Sequence, residues 1–258
     1  MTSAVALHPL PDASAPHEDD SESSFLDNTF HVSEDLVQSP QHKAAGSSDV
    51  LALNHLLPPH TPLRLHQDLK EGCGGQLWPA GEILARYLLT RQSDAFQNCS
   101  ILELGAGGGL VGLAVALGCK LTHPVHITDQ LPMLALMNTN IHLNNLQDQV
   151  KASIYDWGSP VPEGLPHHPD ILLAADCVYF EPAFPLLQRT MQDLIGPNTV
   201  CYFCFKKRRR ADLTFIKTIK KTFDVQAVED DPHQSNYARE NLYLYRITAK
   251  SPTMQSSS

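Results

Sequence analysis

The chain has 258 residues, 42% of them hydrophobic, and a formal net charge of −9. A chain of this length buries one sizeable core, so we expect one α/β domain with an appendage. No apolar stretch reaches the ~20 residues needed to cross a bilayer, and no signal peptide opens the chain, which argues against membrane insertion and secretion. The six cysteines are therefore expected to be free thiols in a reducing compartment, the cytosol or the nucleus, of which the cytoplasm is our prediction.

The beginning of the chain differs in composition from the rest. It is rich in Ser, Pro, Asp and Glu, and residues 1–50 carry a charge of −8, against −1 for the other 208 residues. Few apolar residues combined with concentrated charge are typical of disorder. We predict a disordered acidic segment over 1–48, in which only "TFHVSEDLV" favours a strand, a folded domain over 49–250 and a disordered tail over 251–258. Neither part has the basic excess of a nucleic-acid-binding surface.

Downstream, apolar patterns predict a series of strands and helices. "TPLRLHQD" (Thr61–Asp68) alternates as an edge strand does. "PAGEILARYLLT" is predicted to be a helix because Pro79 suits a first turn and its apolar residues share one face. Seven strand-like runs follow: "CSILEL", "PVHITD", "VKASIYDW", "DILLAAD", "NTVCYFCF", "FDVQAVE" and "NLYLYRIT". Helices are predicted between them over residues 110–117, 131–143, 182–195 and about 211–222.

This alternation indicates the fold class. Strands that alternate with helices form a mainly parallel sheet with helices on both faces, so an α/β fold is expected. Only the irregular polar linker "DDPHQSNYARE" separates the last two runs, which predicts that they pair as a terminal antiparallel hairpin.

Two pairs of residues are of types that often bind metals, but neither pair is predicted to form a metal site. Cys201 and Cys204 have CxxC spacing, but three positions apart on a strand they face opposite sides, so both are interpreted as core residues. His167 and His168 lie in a Pro-rich loop with no second pair at ligand spacing. We expect no metal site.

The stretch "ILELGAGGGLVG" predicts a ligand. A strand, a Gly-rich turn and a helix bind nucleotide-like molecules, because glycine lets the backbone approach and the helix N-terminus presents N–H groups. The dinucleotide pattern G-x-G-x-x-G fits Gly107, Gly109 and Gly112, but started at Gly105 it fails because a leucine holds the third glycine position. A competing pattern has an acid, Glu103, two residues before the turn. It resembles motif I of the class I (seven-β-strand) S-adenosylmethionine-dependent methyltransferases.

Two acids end the following strands. Asp129 lies 20 residues after Gly109, where a carboxylate can accept both ribose hydroxyls or cap the next helix. Dinucleotide enzymes and methyltransferases both use such a ribose contact. In "YDWG", Asp156 and Trp157 stand where class I methyltransferases commonly hold the adenine amino group and ring, although a turn aspartate and a packed indole would give the same pattern. With the terminal hairpin, these features favour S-adenosylmethionine.

The stretch "AADCVYF" bears on the methyl acceptor. It puts Asp176 and Tyr179 at the carboxyl end of the fourth strand, where open α/β sheets place their sites. DNA-adenine enzymes have two prolines where Cys177 and Val178 stand, so base methylation is disfavoured. Asp-x-x-Tyr instead resembles the motif of the protein lysine methyltransferases in methyltransferase family 16.

The family resemblance runs continuously over about residues 74–195 and more loosely over 61–248, from "GGQLWPAGEILARYLL" to "DILLAADCVYFEPAFPLL" and beyond. It implies a seven-stranded Rossmann-like methyltransferase sheet, S-adenosyl-L-methionine as cofactor and protein-lysine N-methyltransferase activity. "GGQLWPAG" and "ADCVYFEPAFPLL" are similar to a fungal member that modifies translation elongation factor 1-alpha. That protein is therefore the expected partner of a monomeric enzyme that needs neither nucleic acid nor membrane.

The resemblance also implies roles for individual residues. Asp176 and Tyr179 are expected to be catalytic and to face the acceptor, whose amine must lose a proton because only about 0.1% of lysine is neutral at physiological pH. The run "KKRRR" (Lys206–Arg210) is interpreted first as a solvated face, then as a rim for an acidic substrate, then as a nuclear signal. The cofactor contacts are expected at Trp78, Glu103, Gly105, Ala106, Gly107, Asp129, Asp156, Trp157 and Ala175.

Three other functions fit parts of the pattern. A NAD-dependent oxidoreductase would share the glycine turn but would have a complete G-x-G-x-x-G starting at Gly105 and no closing hairpin. A non-catalytic scaffold or chaperone of the same fold would share the sheet, although the intact acids argue against it. A methyltransferase acting on histidine, RNA or a small molecule would share the donor site.

The charge distribution yields a prediction about the N-terminal segment. A protein shortened to start at Asp49 should keep its turnover with purified substrate, because residues 1–48 have few apolar side chains with which to join the core. Steady-state rates of the full-length and shortened proteins test this. A large loss would mean that "TFHVSEDLV" packs as a strand or that the segment recruits the substrate.

Overall fold

A computed structural model describes residues 50–52, 56–57, 62–68 and 75–250. The predicted segments 1–48 and 251–258 and the stretch "TFHVSEDLV" lie outside the described residues. The strands are β1 Val50–Ala52, β2 Arg64–His66, β3 Ile101–Leu104, β4 Val125–Asp129, β5 Val150–Ile154, β6 Ile171–Ala175, β7 Val200–Lys206, β8 Phe223–Ala227 and β9 Leu242–Ala249. The α-helices are α1 Pro79–Arg91, α2 Leu110–Gly118, α3 Leu131–Leu143, α4 Phe184–Leu194, α5 Arg210–Ile219 and α6 Gln234–Arg239, with short 3-10 helices at Ser93–Phe96 and Glu181–Ala183.

Seven of the described strands form one sheet in the order β5-β4-β3-β6-β7-β9-β8. The strands from β5 to β7 pair in parallel, whereas β9 is antiparallel to both β7 and β8. The predicted α/β fold with a seven-stranded, mainly parallel sheet and a terminal antiparallel hairpin is confirmed. The hairpin enters the sheet with its second strand inside, so that β9 lies between β7 and β8.

The edge strand predicted in Thr61–Asp68 exists as β2, which pairs with β1 in a separate two-stranded sheet. A second local expectation needs correction. The linker before β9 is not wholly irregular, because it contains α6. Tyr237 of this helix is buried and its hydroxyl lies 3.1 Å from Asp231 Oδ2, so a core contact and a hydrogen bond fix a segment whose composition suggested a loop.

The sheet has a core on each face. Side chains of α1, α2 and α3 pack on one face, and side chains of α4 and α5 pack on the other. Along β7, Cys201 belongs to the second core and Cys204 to the first, and both are fully buried. The prediction that these cysteines face opposite sides as core residues is confirmed.

The parallel strands set the position of the site. Strands β3 to β7 end at the same edge of the sheet, so the loops that follow them meet there. The glycine turn, "YDWG" and "DCVYF" lie in these loops, and Asp129 ends β4 at the same edge. In the described part of the chain, no helix is long and apolar enough to cross a membrane.

Candidate active site

The turn between β3 and α2 has a backbone that favours glycine. Gly105, Gly107 and Gly109 have φ angles of 59°, 55° and 86°, in the left-handed region that L side chains rarely adopt. A Cβ on Gly105 would lie 2.9 Å from Cys177 Sγ and 3.0 Å from a ring carbon of Trp157. At Gly105 the turn is therefore packed against the loops after β5 and β6, which leave no space for a side chain.

Asp129, the last residue of β4, holds this turn. Its Oδ2 accepts the Gly107 N–H at 2.7 Å and its Oδ1 accepts the Gln130 N–H at 2.7 Å. Burial raises the pKa of Asp129, although both N–H bonds oppose this, and nearby Asp156 raises it further. Gln130 is the N-cap of α3, so Asp129 does not act as the helix cap. Each carboxylate oxygen keeps a second lone pair, which leaves it able to accept hydroxyl donors.

Glu103 lies below the turn and is almost completely buried, with 2% of its surface exposed. Its Oε2 accepts the Gly112 N–H at 2.8 Å, which ties β3 to the first turn of α2. Burial raises the pKa of Glu103 to about 8, against the lowering effect of the Gly112 N–H, and the charge of Asp129 adds to the rise. Glu103 thus supports the glycine turn, whereas its expected contact with a methionine amino group stays a prediction.

The other expected cofactor residues also lie at this edge. Trp157 packs against Gly105, and Asp156 beside it is exposed. The Ala106 N–H donates to the Thr128 carbonyl at 3.0 Å, and Ala175 ends β6 with its side chain partly buried. The structure therefore brings the turn and the ends of β4, β5 and β6 into one region, as the sequence predicts for a nucleotide-like ligand.

Asp176 is held more tightly than expected. It is a non-glycine residue in the left-handed region, with φ of 55°, and its side chain is 4% exposed. Its Oδ1 accepts the Lys206 N–H at 3.1 Å and Arg208 Nη1 at 2.9 Å, and its Oδ2 accepts Arg208 Nη2 at 2.7 Å. The carboxylate that was expected to face an acceptor amine is thus also one half of an ion pair.

Arg208 connects Asp176 to Trp78. Its guanidinium carbon lies 4.9 Å from the centroid of the Trp78 ring, in the geometry of a cation–π contact. Trp78 precedes α1, and its carbonyl accepts the Gly81 N–H at 3.0 Å. An expected cofactor residue and an expected catalytic residue are therefore joined by a residue that the sequence analysis considered only as part of the basic run Lys206–Arg210.

The interpretation of the basic run as mainly a solvated face is wrong for Arg208 and Arg209. Their side chains are 18% and 30% exposed, and they form ion pairs with Asp176 and Asp212 respectively. Arg209 also donates to the Tyr179 carbonyl. Asp212 is fully buried, and its Oδ2 accepts the N–H groups of both arginines at 2.8 Å. The run turns inward because these buried acids and the carbonyl provide partners.

Asn140 of α3 and Asn144, the C-cap of that helix, form a second support that the sequence analysis missed. Asn140 is fully buried; its Oδ1 accepts the His66 N–H at 2.7 Å and its Nδ2 donates to the His66 carbonyl at 3.2 Å and the Gly108 carbonyl at 2.8 Å. Asn144 exchanges the same two kinds of bond with the Arg64 backbone, at 2.9 and 2.7 Å. Strand β2 is thereby fixed beside the glycine turn. A polar residue on the core-facing side of a helix was the available signal.

Comparison with known proteins gives consistent matches. A family model described as lysine methyltransferase, methyltransferase family 16, matches residues 58–222. The chain is 36% identical over 250 residues to "Protein-lysine N-methyltransferase EFM6" of Saccharomyces cerevisiae, covering 87% of this chain and 100% of the yeast protein. It is 34% identical to "Protein N-lysine methyltransferase METTL21A" of Danio rerio, covering 71% and 82% of the two chains. It is 32% identical to "EEF1A lysine methyltransferase 3" of Mus musculus, covering 71% and 77%.

The buried Glu103 predicts a pH dependence of stability. Its pKa of about 8 lies above the ordinary value of 4.5, so the folded state binds a proton that the unfolded state releases between these pH values. The stability from this group is complete below about pH 4.5 and is lost as the pH rises to about 8. Glu103→Gln keeps an acceptor for Gly112 and removes the titration. As the pH rises from 5 to 9, the free energy of unfolding of Glu103→Gln should therefore increase relative to that of wild type by on the order of a few kcal/mol.

Urea unfolding of both proteins at several pH values measures this difference. Glu163→Gln, at an exposed position, is the matched control and should follow wild type at every pH. Parallel curves for wild type and Glu103→Gln would show that Glu103 does not titrate in this range.

Proposed function

The chain belongs to the lysine methyltransferases of methyltransferase family 16, and from this premise we propose that it methylates a lysine of translation elongation factor 1-alpha. The membership confirms the family resemblance, the likeness to a fungal member and the enzyme class expected from the sequence: an S-adenosylmethionine-dependent protein-lysine N-methyltransferase. The named substrate is the finer step. The observation that carries it is the similarity over 71% of the chain to a relative whose name specifies EEF1A.

The carboxyl edge fits S-adenosylmethionine. Gly105, Gly107 and Gly109 leave three positions of the turn without side chains, so a ligand can approach the backbone there, and Asp129 keeps lone pairs for hydroxyl groups. We propose that Asp129 binds the ribose, that Asp156 and Trp157 bind the adenine, and that the methionine end lies by the turn. The remaining contacts are proposed for Trp78, Glu103, Gly105, Ala106, Gly107 and Ala175.

We propose that Asp176 and Tyr179 act on the acceptor amine. The cofactor supplies a methyl group on a sulfonium, and the chain must present a neutral amine in line with it. An ionised carboxylate has about four acceptor sites. Three of those on Asp176 are used by Lys206 and Arg208, which leaves one on Oδ2 for a hydrogen bond from the lysine amine. The ring of Tyr179 would stabilise, by a cation–π contact, the positive charge that develops on the nitrogen as the methyl group leaves the sulfonium. Orientation of this kind can lower the activation barrier by several kcal/mol.

A monomer in the cytoplasm is the simplest arrangement for this role. The substrate named above is a translation factor, so enzyme and substrate would share that compartment. The described cysteines are free thiols, and four of the five are buried, which agrees with a reducing environment.

The proposed substrate predicts a change in cells that lack this protein. Mass spectrometry of elongation factor 1-alpha should show one lysine that loses its methyl groups, and the purified enzyme with labelled S-adenosylmethionine should restore them. If every lysine of that factor keeps its methylation while another protein loses one, lysine methylation stands and the named substrate is wrong. If labelled extracts gain no methyl group on any protein, the scaffold alternative takes its place.

The acceptor motif predicts a split between binding and turnover. Asp176→Asn removes the charge that orients the amine, so kcat should fall by ~10²-fold or more, while cofactor affinity changes only a few fold. Tyr179→Phe should lose less because its ring face remains. Asp170→Asn is the matched control. Asp170 is also hydrogen-bonded, but it lies just before the first residue of β6, at the end of the strand away from the site. Normal turnover of Asp176→Asn would contradict the proposed role of Asp176.

A further inference from the structure

We propose that Arg208 is a positioning residue for methyl transfer, which fixes Asp176 and Trp78 relative to each other. The inference rests on the proposed placement of the acceptor at Asp176 and Tyr179. It assigns a function within the run Lys206–Arg210, which in the sequence had the pattern of a solvated charged surface.

The contact between Arg208 and Asp176 is suited to fixing a direction. Two guanidinium nitrogens donate to the two carboxylate oxygens at 2.9 and 2.7 Å, so the planar groups are held edge to edge. The side chains are 18% and 4% exposed, so water competes little for these bonds. A lysine ammonium could supply the charge here but not the two parallel bonds.

The face of the guanidinium contacts the Trp78 ring. A planar guanidinium can stack on an aromatic ring while its edge donates hydrogen bonds, and the distance of 4.9 Å to the ring centroid fits that arrangement. Trp78 is the N-cap residue before α1, whereas Asp176 follows β6. Arg208 thus joins two parts of the chain that lie on the proposed cofactor side and acceptor side of the site.

Arg208 is itself anchored. Its N–H donates at 2.8 Å to Asp212 Oδ2, a fully buried carboxylate in the first turn of α5. The next residue, Arg209, also binds Asp212 and donates to the Tyr179 carbonyl. The loop after β7 therefore holds the acceptor motif at both ends, and the helix behind the loop keeps Arg208 in place.

This geometry makes turnover sensitive to Arg208. Without Arg208, Asp176 and Trp78 would shift relative to each other, and Asp176 is proposed to align the amine. A misplacement of about 1 Å can lower the rate ~10²-fold. Arg208→Met keeps an unbranched stem but removes both bonds to Asp176. It should lower kcat by at least ~10-fold per folded molecule, with the cofactor dissociation constant within about threefold of wild type.

The kinetic experiment compares three variants on the full chain, with labelled S-adenosylmethionine and elongation factor 1-alpha. Arg208→Lys should recover part of the lost kcat, since the charge returns without the bidentate geometry, and it covers the case in which Arg208→Met does not fold. Arg210→Met, at an exposed neighbour in the same run, should behave as wild type. A smaller loss than ~10-fold in folded Arg208→Met, or equal losses in Arg208→Met and Arg210→Met, overturns the inference.

A spectroscopic experiment tests the link without turnover. The chain has two tryptophans, so Trp157→Phe leaves Trp78 as the sole indole emitter. In that background, Asp176→Asn should shift Trp78 emission when Arg208 is present and leave it unchanged when Arg208 is replaced by Met. The same shift in both backgrounds, or none in either, overturns the link. If wild type transfers no methyl group to any lysine, the proposed function fails, and this measurement still decides whether Arg208 couples the two residues.

Discussion

Carboxylates at the ends of parallel strands hold the loops of neighbouring strands, and the site depends on this interaction. Asp129 ends β4 and binds the turn after β3 at Gly107, whereas Asp176 follows β6 and binds Arg208 in the loop after β7. Parallel neighbours end at the same edge, so an acid at one strand end reaches the adjacent loop without a long connection. A buried carboxylate needs such partners, because an unpaired charge away from water is costly. The loops are therefore fixed by the same groups that are proposed to bind ligands.

A matched spacing explains how α3 fixes a strand. Asn140 and Asn144 are four positions apart on the helix, a rise of about 6 Å, and they bind His66 and Arg64, two positions apart on β2, a rise of about 6.6 Å. The two side-chain amides thus replace a neighbouring strand for these residues. Because Asn140 also donates to Gly108, the arrangement supports the glycine turn from a second side.

Local patterns determined most of the secondary structure and the place of the site. Apolar strand-like runs predicted the seven strands of the sheet, and the bounds of α3, Leu131–Leu143, agree with the predicted helix. The glycine turn was predictable because left-handed backbone angles favour glycine, so the conformation of the turn is visible as a cluster of glycines in the sequence. Once the strands were parallel, Asp129, Asp156 and Asp176 had to lie at one edge, so the expected region of the site followed from sequence alone.

Only the tertiary structure decided which partners these residues have. The position of β9 between β7 and β8 depends on pairing between distant segments, which periodicity does not encode. Arg208 lies 32 positions from Asp176 and Asn140 lies 74 from His66, so neither contact has a local signature. A run of five basic residues has one composition whether it faces water or buried acids. The sequence patterns determined where the acids and glycines of the site lie. Only the folded chain brings Arg208 into contact with both Asp176 and Trp78, because these contacts form only when three separate loops meet.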